Sequence, residues 1–186
     1  MPSTETHLRP SPRQRILDTA SELFYGEGVR AVGVDRVVAE SGVAKMSLYS
    51  HFGSKDALIA AWLKRRDAEW MDWLEQRVEA KGGDIAAVFD ALAEWFRRPD
   101  FRGCAFVNTQ AELGSSNSAA AEVVVAHKRA LLDFLRGPAK KSGAKNPATI
   151  AGELLVLVEG AIVTASIGSE RAPAAIAKRA ALRLVR

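Results

Sequence analysis

The sequence predicts an all-α protein, with a small helix-turn-helix unit ahead of a larger helical part. Three observations predict it. Apolar residues recur at helical spacing, as in Ile16, Leu17, Ala20, Leu23 and Phe24. Alanine, leucine and valine dominate, while prolines are few and fall between periodic segments. Of the 186 residues, 48% are apolar, enough to build a sizeable core.

The first helix is expected from about Arg13 to Gly26, with Gly26 and Gly28 ending it. A short second helix follows from about Val34 to Ser41. Its Val34, Val37 and Val38 point inward, and Asp35 suits the positive helix start. Ser41-Gly42 makes a turn. A third helix runs from about Lys45 to Phe52, anchored by Leu48 and Phe52. Gly53 breaks it, and Ser54 caps a long helix that reaches about Ala80 and carries Trp62, Trp70 and Trp73. Asp84 caps the next helix, which Pro99-Asp100 stops. Residues 101–116 lack clear periodicity, with helix expected only around Ala111 to Leu113. A strong helix is expected from Ala119 to Arg136, ended by Gly137-Pro138. A very apolar helix spans Thr149 to Ile167, and a last one Ala172 to Val185.

A helix as short as Lys45–Phe52 must be clamped by its neighbours, which leaves its outer face free. Helix, glycine turn and short helix is the layout that places a recognition helix in the DNA major groove. The net charge is +4, with an excess of three positive charges in residues 1–66. That is compatible with DNA, and also with ordinary surface charge. It is too small for binding that relies on phosphates alone, which argues against a nonspecific architectural DNA binder. One cysteine, Cys104, excludes an internal disulfide and a cysteine-based zinc site. No metal site and no cofactor is expected. No unbroken apolar run reaches the roughly 18 residues of a membrane span. Met1–Pro12 lacks a signal-peptide core and reads as a flexible arm, so a cytoplasmic protein away from membranes is the expectation.

Ile16-Leu17-Asp18-Thr19-Ala20, Leu23-Phe24, Gly28, Val37 to Gly42, Val43, Leu48-Tyr49, His51-Phe52, Lys55 and Leu58 together resemble the TetR family of bacterial transcriptional regulators. Arg102-Gly103-Cys104-Ala105-Phe106 is similar to a stretch in one branch of it. The resemblance implies a DNA-binding domain at 13–58 and a ligand-binding and dimerisation domain at 59–186. It implies a homodimer through the last two helices and a double-stranded operator as partner. Two departures stand out. Gly33 replaces a hydroxyl residue before the second helix, and Ala44 replaces the usual Ser/Thr cap of the third, a change costing about 1 kcal/mol if nothing compensates.

Lys45 is expected to reach a guanine edge or a phosphate, and Met46 and Ser47 face the same way. Tyr49, Ser50 and His51 are candidates for phosphate contacts, with packing against the first helix as the rival for His51. Lys55 stands at a helix start, where an anion is favoured and a lysine alone is not. Arg36 could reach the DNA backbone or be merely solvated. Trp62, Trp70, Trp73, Phe89, Trp95, Phe96 and Phe106 are candidate walls of a roomy apolar pocket, though most such residues are core. Asn108 and His127 are its polar candidates, with Gln110 and Glu112 beside them. Cys104 between Phe101 and Phe106 reads as buried and inert.

Gly152, Gly160 and Ala161 allow close helix approach, and a helix apolar on several faces must be covered on each. Leu154, Leu155, Val158, Ile162 and Ala165 with Ile176 and Arg179 are therefore expected at a two-fold dimer interface. The expected function is a ligand-responsive regulator, a repressor, released from a near-palindromic operator by a small apolar or amphipathic effector. The rival is a helical small-molecule-binding protein or an enzyme. Against an enzyme, no phosphate loop, metal cluster or nucleophile–base set is legible. Glu112, Glu159 and His127 are scattered along the chain.

Overall fold

The computed structural model describes residues 10–114 and 118–185. The arm expected at 1–12 falls mostly outside them, as does most of the loop after Leu113. Among the described residues there are nine helices: α1 (Pro12–Glu27), α2 (Val34–Ser41), α3 (Lys45–Phe52), α4 (Lys55–Ala80), α5 (Ile85–Phe96), α6 (Ala105–Leu113), α7 (Ala119–Lys141), α8 (Pro147–Ile167) and α9 (Pro173–Ala181). No strand occurs among them.

The small unit forms where α1, α2 and α3 close on the start of α4. Ile16, Ala20, Phe24, Val37, Leu48, Phe52 and Leu58 supply its buried side chains. α4 spans about 39 Å at helical rise and serves both halves of the molecule. Its first turns carry the small unit, and its remainder packs on α5 and α7. α8 then packs against α7, α9 and α5.

Four elements depart from the sequence expectation. α6 begins at Ala105, well before Ala111, because the Cys104 sulfur accepts from Val107 N–H at 3.5 Å and caps it. Nine residues give too few turns for periodicity to be legible. α7 does not stop at Gly137-Pro138 but continues to Lys141. Pro138 and Ala139 are buried there, and their packing outweighs the hydrogen bond that proline removes. α8 starts two residues early, at Pro147, with Asn146 Oδ1 accepting from Thr149 N–H at 3.3 Å. α9 ends at Ala181, and residues 182–185 form a turn. α8 is also long and apolar enough, by length and composition, to cross a membrane, although charges and glycines interrupt its apolar run. Its inner face packs in the core, and 28% of its most apolar stretch is buried in the single chain.

The two halves are tied by directed bonds. Arg65 Nη1 donates to Asp18 Oδ1 at 2.6 Å and its Nη2 to the Leu17 carbonyl at 3.1 Å. Tyr25 Oη donates to the Gly103 carbonyl and accepts from Arg102 N–H, both at 3.0 Å. Arg30 N–H donates to Glu112 Oε2 at 2.7 Å. Gly28 makes this last bond possible. Its φ is +93°, and a Cβ there would lie 2.7 Å from Glu112 Oε1.

Candidate functional site

The α2–turn–α3 unit presents one exposed face. Gly42 adopts φ +62°, the left-handed conformation that ends α2 and turns the chain into α3. Leu48 and Phe52 point inward, as expected, and the opposite side of α3 is open. Met46 is 79% exposed, and Tyr49, Ser50 and His51 are exposed beside it. Ser47 is half-buried. Ser50 Oγ donates to the Ser47 carbonyl at 2.9 Å. Neither Gly33 nor Ala44 offers a side-chain cap, so the first N–H groups of α2 and α3 are left for an outside acceptor.

The cations on this face are not equally available. Lys45 Nζ lies 2.6 Å from Asp35 Oδ1, and this bond raises the lysine above its ordinary value and keeps it charged. Both groups are well exposed, so water and phosphate compete for them on equal terms. Arg36 is held more firmly. It is paired in a fork with Glu27, Nη2 to Oε1 at 2.8 Å, and its Nε donates to Glu40 at 2.7 Å. Arg36, which the sequence reads as able to reach the DNA backbone or as merely solvated, lies in exposed ion pairs that link α2 to α1 and to its own next turn. Lys55 is partly buried at the start of α4. Desolvation lowers it, and the Glu112 carboxylate opposes that shift.

A second site lies among α4, α5, α6, α7 and α8. Trp70, Trp95, Phe106, His127, Leu131 and Ile162 form its walls, with Arg66, Cys104, Lys128 and Glu159 supplying polar groups. The cavity holds about 10 Å³ for a water-sized sphere, the room of one water molecule. Phe106 stacks on His127 with centroids 3.6 Å apart, and Trp70 meets His127 edge-on at 5.6 Å. His127 is 2% exposed and its Nδ1 lies 2.6 Å from Asp67 Oδ1. Burial holds this imidazole below its ordinary value against the opposing pull of Asp67.

The aromatic side chains named from sequence do not surround one roomy pocket. Trp70, Trp95 and Phe106 line the cavity. Trp62 packs edge-on against Phe24 and, with Phe89, belongs to the core. Trp73 lies under the Arg98 guanidinium at 4.5 Å, and Phe96 packs on Trp95 and Phe101. Asn108 is exposed and donates to the Arg102 carbonyl. Among the described residues no cluster of three metal-ligating side chains occurs.

Sequence reading missed the polar cluster in this wall. Lys128 Nζ lies 2.6 Å from Glu159 Oε1 and 3.4 Å from Cys104 Sγ. A nucleophile and an acid–base pair, scattered along the chain, are brought together by α6, α7 and α8. The legible signal was Glu159, a carboxylate inside an otherwise apolar helix stretch.

The dimer expectation is also corrected residue by residue. Leu154, Val158 and Ile162 are buried within their own chain and cannot face a partner. Leu155 and Ala165 are half-buried, while Ile176 and Arg179 are exposed. The outward apolar face of α8 and α9 consists of Val156, Val163, Ile167 and Ile176, 72%, 41%, 70% and 43% exposed. Gly160 lies in a groove of about 230 Å³ between Val156 and Ile176.

The model of bacterial regulatory proteins of the tetR family matches residues 16–62. The HTH-type transcriptional activator FasR of Mycolicibacterium smegmatis is 42% identical over 57 residues, covering 31% of this chain and 26% of FasR. The HTH-type transcriptional repressor KstR2 of Rhodococcus jostii is 31% identical over 94 residues, 49% of this chain and 44% of KstR2. The chain thus matches less than half the length of either curated relative. The crystal structure of SCO4454, a TetR-family transcriptional regulator from Streptomyces coelicolor, aligns with a TM-score of 0.78 and 30% identity. That alignment covers 94% of this chain and 92% of the other.

Proposed function

This chain belongs to the TetR family of bacterial regulatory proteins, and we propose that it is a repressor whose hold on a near-palindromic operator is released by a small ligand. It is a transcriptional regulator with a DNA-binding helix-turn-helix. The observation that carries the proposal is the outer face of α3. Leu48 and Phe52 anchor the helix, so Lys45, Met46 and Tyr49 project from a rigid support. Lys45 exchanges Asp35 for a guanine edge or a phosphate, and Met46 contacts a thymine methyl. Tyr49, Ser50 and His51 meet phosphates and set the register. Lys55 sits at the start of α4, where the helix dipole adds to its charge.

Two protomers pair through the apolar face of α8 and α9, and two α3 helices then read half-sites related by the same two-fold axis. The cavity beside α6 takes the effector. α6 is suited to carry the signal, because Gly103 and Glu112 hold the small unit from its two ends. An effector that moves Phe106 moves α6, and release requires only a differential affinity of about 1–3 kcal/mol between the two states. Such a regulator works on the chromosome, in the cytoplasm of the cell.

Selection of sites from random duplex DNA at a stated salt concentration tests this reading, with Lys45→Ala as control. A palindrome recovered by the wild type and lost or blurred in the variant supports it. Identical, unenriched pools from both proteins overturn the recognition-helix assignment.

A further inference from the structure

We infer that the cavity beside α6 is a covalent trap, in which the Cys104 thiol captures a small α,β-unsaturated carbonyl compound. The inference rests on the reading of this cavity as the effector site and names the chemistry of that effector.

Cys104 is the only cysteine in the chain, and its sulfur accepts hydrogen bonds from two sides. It sits at the N-terminus of α6, accepting Val107 N–H, where the helix dipole favours negative charge. Lys128 Nζ lies 3.4 Å away on α7 and is itself held by Glu159 on α8. The sulfur lines the cavity wall with both donors beside it.

An independent observation points to the other half of the ligand. Trp70 lines the same cavity and is 8% exposed, and its indole Nε1–H, like those of Trp62 and Trp73 elsewhere on α4, is buried without an acceptor. An orphaned buried donor is costly, and a carbonyl oxygen in the cavity would satisfy it. Trp95, Phe106 and Leu131 supply apolar walls for a short carbon chain. A soft nucleophile, a donor for a carbonyl and apolar walls between them match a conjugated enone.

The chemistry balances without a further reagent. The thiol proton passes to the Lys128–Glu159 pair. Sγ bonds to the β-carbon, and the C=C π pair moves toward the carbonyl oxygen, which accepts a hydrogen bond from Trp70 Nε1–H. The proton returns from the Lys128–Glu159 pair to the α-carbon. Nothing leaves and nothing is oxidised, so the product carries the whole mass of the reagent. The cavity has room for about one water, so the adduct displaces Phe106 from its stack on His127. Phe106 lies in the first turn of α6, whose flanking Gly103 and C-terminal Glu112 bind the small unit.

The test uses the full chain, methyl vinyl ketone as probe and intact-mass spectrometry. Its saturated analogue butan-2-one, the variants Cys104→Ser and Lys128→Gln, and the operator duplex recovered by selection serve as comparators. The expected result is a single adduct, formed at least about tenfold faster in the native protein than in the denatured chain at the same pH. Lys128→Gln loses most of that advantage while keeping its melting temperature, and DNA release follows the time course of the adduct. Slower reaction in the native protein than in the denatured chain overturns the inference, as does an adduct that survives in Cys104→Ser. Release of DNA by butan-2-one as effective as by methyl vinyl ketone also overturns it, but leaves the cavity as the effector site. A rapid adduct with no effect on DNA binding removes the cavity reading itself.

Discussion

Replacing Val156 by aspartate tests the proposed α8–α9 dimer interface apart from the fold. Val156 is 72% exposed on α8 in the single chain, so the change leaves the core untouched. Full burial of such a side chain is worth about 1.5–3 kcal/mol, so covering the exposed part gains roughly 1–2 kcal/mol. A two-fold interface contains the residue twice, which brings the loss to about 2–4 kcal/mol per dimer. At tenfold per 1.4 kcal/mol, the dissociation constant rises by roughly 30- to 1,000-fold. Two carboxylates stripped of water add to this figure, so it is a lower bound. Sedimentation velocity over a concentration series reads the effect, with far-ultraviolet circular dichroism to confirm retained helix. Val125→Asp is the control, because Val125 is 47% exposed on α7, a helix outside the proposed α8–α9 interface. A Val156→Asp protein that dimerises at the same concentrations as wild type refutes the assignment of this face, and equal loss in both variants refutes its specificity.

Two further outcomes follow from the geometry. Gly28→Ala must place an L-residue at φ +93° and push the Glu112 carboxylate from Arg30 N–H. Strain and a lost charged hydrogen bond together cost about 2–4 kcal/mol, or roughly 4–16 °C in a thermal melt for a chain of this size. A melting temperature within about 1 °C of wild type would show that the turn tolerates both. His127 yields a pH dependence. Its folded-state value lies below the unfolded one because it is buried, with Lys128 lowering it further and Asp67 and Glu159 opposing. Above about pH 6.5 the imidazole is neutral in both states and carries no penalty. As pH falls below that, the unfolded chain takes the proton first, and stability declines until the folded value is reached. Wild type should therefore lose more melting temperature than His127→Gln between about pH 7.5 and 5.5. An equal loss in both proteins would show that His127 does not titrate differently on unfolding.

Much of the small unit was legible because its signals are local. Gly42 and Gly53 end helices through their own backbone freedom, and Ser54 caps α4 through its own hydroxyl. α2 and α3 are bounded as periodicity and punctuation predicted. The end of α7 was not legible, because Gly137-Pro138 is a local stop signal that buried packing overrides. α6 escaped for the opposite reason, since its cap is a sulfur and its apolar face is two turns long.

Amino-acid sequence alone determined the helical class, the position of the recognition helix and the residues on its outer face. Those properties depend on backbone preferences and on contacts between near neighbours. Only tertiary structure decided which apolar residues of α8 face inward. A helix apolar on several faces carries no sequence mark of which face meets its own chain, so Leu154 and Val158 are buried while Val156 stays open. The same holds for charge. Arg36 reads as a cation that could reach the DNA backbone or be merely solvated, but its fork to Glu27 spans nine residues and exists only once α1 and α2 have packed. Cys104, Lys128 and Glu159 meet across three helices, and side chains so far apart in sequence become chemical neighbours only through the packing of a common core.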